Sequence, residues 1–84
     1  MAIKNRSTLE QDEAAARLDE MLKTAGLSVK ATYQIREVAL LLDVHRNTVY
    51  QMIRKGDVSH IKVRATLRID RKALIDLIAA SLDD

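Results

Sequence analysis

The chain has no cysteine, which excludes disulfide staples and thiolate metal sites. Its two histidines, His45 and His60, stand apart from any carboxylate cluster. No metal-ligand spacing follows from them, and neither a metal nor a cofactor is expected. With two glycines in all, there is no Gly-rich phosphate loop. No Ser–His–acid order appears either, so an enzyme is not expected. The longest apolar run, Val38 to Leu42, is five residues, far short of the roughly 20 that span a bilayer. Met1 to Arg6 carries charge with no apolar stretch after it. No signal peptide is therefore expected, and the expected location is the cytoplasm, with no membrane partner.

What is present suits one small globular domain. The 84 residues are 48% hydrophobic and 31% charged, a balance that supports a folded core rather than disorder. The formal net charge of +2 conceals an uneven distribution. Up to Thr32, five basic residues meet five acidic ones. From His45 to Lys72, eight basic residues (Arg46, Arg54, Lys55, Lys62, Arg64, Arg68, Arg71 and Lys72) face only Asp57 and Asp70, a local charge of +6. Such a block suits a polyanionic partner or a solvated face.

The apolar spacing predicts the elements. Ser7 with Glu10, or Thr8 with Gln11, fits a capping box that opens a first helix. Leu18, Met21, Leu22 and Ala25 form its apolar stripe, and Gly26 ends it. Leu27 to Thr32 reads as a connector. A short helix is expected over about 35–42, with Ile35, Val38, Ala39 and Leu42 inward and Gln34 as its cap. Asp43-Val44-His45 breaks the chain. A second helix follows over about 46–55, with Val49, Met52 and Ile53 inward, and stops at Gly56. The period then changes to two: His60, Lys62 and Arg64 alternate with Ile61 and Val63, and Arg68 lies between Leu67 and Ile69. This predicts a hairpin with one buried face, turning near Arg64-Ala65-Thr66. Asp70 caps a last helix whose stripe is Leu74, Ile75, Ile78 and Leu82.

Ala39, Asp43 and Val49 sit at helix-turn-helix spacing. A small residue lets the two helices approach, a turn residue tolerates positive φ, and an apolar residue anchors the second helix. The residues from Ile35 to Val44, then Arg46-Asn47-Thr48-Val49-Tyr50-Gln51-Met52-Ile53-Arg54-Lys55-Gly56, then Leu67-Arg68-Ile69, carry a family likeness. From Thr32 to about Leu82 the chain resembles the excisionase-type, MerR-like winged-helix DNA-binding domain. The likeness departs at four places: Asp43 replaces the usual turn glycine, His45 a serine cap, Arg64 a wing-turn glycine and Leu67 a tryptophan. The resulting expectation is a mainly α winged helix-turn-helix with a small β-hairpin over 32–84, preceded by an amphipathic helix and connector over 1–31.

The resemblance implies that the second helix enters the major groove of double-stranded DNA and that the wing, about 59–69, meets backbone or minor groove. By position, Arg46, Asn47, Thr48 and Gln51 are the expected base readers. Arg can bridge guanine O6 and N7, Asn or Gln adenine N6 and N7, and Thr can touch a thymine methyl. Arg54, Lys55, Lys62, Arg64, Thr66 and Arg68 are the expected phosphate or minor-groove contacts. Tyr50 is expected to pack on the wing, His60 to be solvated and Glu37 to serve the helix start. Two roles fit: a small transcription regulator, or an excisionase that would work with an integrase. In either, a second copy is an expected partner, as a dimer or a cooperative array on DNA. The first helix is expected to pack on the domain or on that second copy. The rival reading is a protein-interaction adaptor using the basic face and the N-terminal helix.

Overall fold

The computed structural model describes residues 6–82, with side chains from Glu10 onward. The caps expected at Ser7 and Thr8 lie outside the described side chains. The order is α1 (Arg6–Ala25), β1 (Thr32–Gln34), α2 (Ile35–Leu42), α3 (Arg46–Lys55), β2 (Ile61–Val63), β3 (Thr66–Asp70) and α4 (Arg71–Leu82). No helix among the described residues is long and apolar enough to cross a membrane.

Three helices end in the same way. At each end a left-handed residue lets two backbone amides turn back onto the last carbonyls. Gly26 (φ 74°), Asp43 (φ 57°) and Gly56 (φ 80°) take that conformation. The next amides, of Leu27, Val44 and Asp57, donate to the carbonyls of Leu22, Ala39 and Met52 at 2.8, 3.0 and 2.9 Å. Both glycines of the chain are thus helix terminators. Asp43 does the same work in the helix-turn-helix turn, because a short polar side chain tolerates that backbone region. Asp70 caps α4, its Oδ1 accepting the amide of Ala73 at 2.8 Å.

The core is one cluster to which every helix contributes. α1 presents Ala14, Leu18 and Leu22, all buried, at the i, i+4, i+8 spacing of a helix face. It packs most extensively on α4 of its own chain, which buries Ala73, Leu74, Ile78 and Ala79. Polar contacts rim this seam: Arg71 Nη1 lies 2.9 Å from Asp19 Oδ1, and Gln11 donates to Asp76 at 3.0 Å. α2 buries Ile35, Val38, Ala39 and Leu41. Leu42, expected inward, is only partly buried. Leu42 nonetheless packs against the core, and Leu41, on the flank of the stripe, is buried as well.

The sheet departs from expectation in two ways. It has three strands, in the order β1-β3-β2, because Thr32-Tyr33-Gln34, between the expected connector end at Thr32 and the expected cap at Gln34, forms a strand. Thr32, Tyr33 and Gln34 pair with Asp70, Ile69 and Arg68. The hairpin also has the opposite facing on β2. Ile61, Lys62 and Val63 pair with Arg68, Leu67 and Thr66. Cross-strand partners share a face, so Lys62 stands on the face of Leu67 and Ile69. Ile61 and Val63 stand outside with Thr66 and Arg68, at 40% and 49% exposure. The expected buried face of β2 is therefore absent. The cause is register: Leu67 and Ile69 hold β3 on the core, and the two-residue turn at Arg64-Ala65 sets the pairing, which places β2 at the edge.

Truncating the centre of the α1–α4 seam tests whether α1 belongs to the fold. Leu18→Ala is expected to cost about 2–5 kcal/mol, a large part of the roughly 5–15 kcal/mol typical of a domain. Urea unfolding would show it; a loss below about 0.5 kcal/mol would mean that α1 is dispensable.

Candidate nucleic-acid interface

The two helices of the helix-turn-helix are set by the residues that the spacing singled out. Ala39 and Val49 are buried, Val49 completely. His45 opens α3, its Nδ1 accepting the amide of Asn47 at 3.1 Å. With Val49 inward and Met52 and Ile53 partly buried, one arc of α3 is left to solvent. At 100° per residue, Asn47, Gln51 and Arg54 lie in the middle of that arc. Arg46 and Tyr50 lie on one flank, and Lys55 on the other. All six are exposed, whereas Thr48 is half-buried at the arc's margin.

Arg46 and Tyr50 face the wing across an open groove of about 400 Å³, lined also by Gln34, Arg36, Thr66 and Leu67. Tyr50 is 40% exposed there, beside the wing rather than buried beneath it. The wing carries Lys62, Arg64 and Thr66, all exposed, as is His60. Arg64 has φ 59°, so the tight turn takes its positive φ at a residue with a Cβ, although no residue there favours it. Arg68 is half-buried and tied inward: its Nε donates to Thr32 Oγ1 at 2.9 Å and its Nη2 to the Thr32 carbonyl at 3.5 Å.

The basic block divides into two groups. Arg71 and Lys72 meet Asp19 and Asp76 on the α1–α4 side. Arg46, Arg54, Lys55, Lys62 and Arg64 make no ion pair among the described residues. The uncompensated charge therefore lies on α3 and the wing.

A family model described as a helix-turn-helix domain matches residues 32–81. The chain belongs to the helix-turn-helix domain family. No curated protein and no solved structure matches the chain. The matched region begins at β1 and ends in α4, and so covers the helix-turn-helix, the hairpin and the strand that pairs with it.

Sequence reasoning missed Gln34 and Arg36, which enter the groove from the start of α2. They are remote from the basic block in the chain, and only the β1–β3 pairing brings them beside the wing. The seam that holds this end of α2 is polar. Burial acts to raise the pKa of the Glu37 carboxyl. The ion pair with Lys30, the amide of Gln34 (2.9 Å) and the Arg36 charge outweigh it, leaving the pKa below its ordinary value of 4.5.

A carboxyl with a depressed folded pKa stabilises the fold above its unfolded pKa, and that contribution is lost as pH falls through the folded value. Denaturant unfolding between about pH 7 and pH 3 should show stability declining below about pH 4.5. Glu37→Gln should be less stable at neutral pH and show a shallower decline. Parallel curves for the two proteins would contradict this role.

Proposed function

We propose that this helix-turn-helix protein binds double-stranded DNA sequence-specifically and carries out no catalytic step. One observation carries the reading: the five basic residues of the block that make no ion pair, and the amides of Asn47 and Gln51, lie on α3 and the wing, while the block's other cations, Arg71, Lys72 and Arg68, are matched by carboxylates or tied inward. Membership of the family supports DNA as the partner. In this reading residues 32–84 bind, and residues 1–31 act as a buttress.

α3 enters the major groove. Asn47, Gln51 and Arg46 meet base edges, and Arg54, expected as a phosphate contact, shares the middle of the arc with Asn47 and Gln51 and is within reach of either. Thr48, at the margin, is the least available of the expected readers. Lys55, Lys62, Arg64 and Thr66 contact backbone or minor groove, and these contacts set position rather than sequence. Arg68 contributes through the part of its guanidinium that Thr32 leaves free. A domain of this size reads few base pairs, so neighbouring copies on adjacent sites would supply the affinity that one copy lacks. A transcription regulator and an excisionase partnered by an integrase both use this surface.

The test is selection from a pool of randomised duplexes at about 0.15 M salt, with Arg46→Ala/Gln51→Ala alongside. The expected result is an enriched motif, lost in the double variant while its melting is nearly unchanged. With about five phosphates neutralised, log K should fall against log salt with a slope near −4.5. Retention without a motif would replace sequence readout by shape readout. No retention would overturn DNA binding and favour an acidic protein partner.

A further inference from the structure

We propose that Arg36 is an additional DNA-backbone contact, a phosphate clamp in the groove between α3 and the wing, held in position by Gln34. The proposal rests on the DNA-binding reading and extends it to a residue outside the basic block.

The geometry around β1 carries it. Thr32 and Gln34 are alternate residues of one strand, so their side chains leave the same face. Each accepts the Nε–H of one arginine: Thr32 Oγ1 from Arg68 at 2.9 Å, and Gln34 Oε1 from Arg36 at 2.7 Å. An arginine held through Nε has its plane fixed while its terminal Nη edge stays available, the arrangement suited to a phosphate.

The Arg36 charge acts on the Glu37 carboxyl without forming an ion pair with it. Glu37, its neighbour in the chain, is occupied by Lys30 and by the Gln34 amide. Arg36 is exposed and makes no ion pair among the described residues. It lines the same groove as Arg46, Tyr50 and Thr66. Arg36 and Arg46 therefore share one opening that has no carboxylate in its lining. An anionic strand running between the recognition helix and the wing would pass through it.

The test uses the full chain and the duplex enriched by selection, or a mixed-sequence duplex if no motif emerges. Arg36→Ala and Arg36→Gln should each weaken binding about 10-fold, as for loss of one charge-assisted hydrogen bond. Each should also reduce the salt slope by about 0.9 and leave the selected motif unchanged. Gln34→Ala should weaken binding less and leave the slope unchanged, since the charge remains. A duplex made neutral by methylphosphonate substitution, one phosphate at a time, should show one position at which wild type loses affinity and Arg36→Ala loses none further. Affinity and slope equal to wild type in both Arg36 variants would overturn the proposal while DNA binding stands. A wild-type chain that retains no DNA would overturn both.

Discussion

The pairing of Tyr33 with Ile69 ties the strand that leads into α2 to the strand that carries the wing. Both side chains are completely buried, and they join β1 to β3 at a sequence separation that no local signal bridges. β1 runs directly into α2, and β3 runs back into β2 and on into α4. One antiparallel pair therefore fixes the wing relative to the helix-turn-helix. The Tyr33 hydroxyl accepts the amide of Lys30 at 2.8 Å and donates to the Ser28 carbonyl at 3.3 Å. The connector from α1 is thereby fastened to the same point. A buried aromatic ring with a satisfied polar tip secures three segments at once.

That placement also sorts the charges. Cations near the α1–α4 seam are matched by Asp19 and Asp76. Arg46, Arg54, Lys55, Lys62 and Arg64, on α3 and the wing, make no ion pair among the described residues. Like charges left together on one side cost stability by self-repulsion, a cost relieved by a polyanion. The same logic accounts for β1's outer face, where neutral oxygen acceptors, rather than carboxylates, hold Arg68 and Arg36. Neutral acceptors orient a guanidinium without cancelling its charge.

Local chemistry made much of this legible in the sequence. The helix ends at Gly26, Asp43 and Gly56, the cap at Asp70 and the inward turn of Val49 follow from residues within one helical turn of each site. The helix-turn-helix could be read for the same reason. β1 could not: Thr32-Tyr33-Gln34 is too short to show a period, and its partner lies far along the chain. The facing of β2 was misread because alternation reports which residues share a face, not which face is covered. The register with Leu67 decided that, and placed Ile61 and Val63 outside. Most of the candidate interface was visible as a basic block. Gln34 and Arg36 were not, because they reach the groove only through the long-range strand pairing.

In the DNA-binding reading, α3 and the wing form one DNA-facing surface, and the α1–α4 seam stands outside it. The most direct measurement is an amide-resolved NMR titration of the isotope-labelled chain with a selected duplex. Shifts should concentrate at 46–55 and along the hairpin over 61–68, with Arg36 among them, while the exposed side of α1 stays unchanged. Shifts centred on α1 and α4, with α3 unmoved, would contradict it.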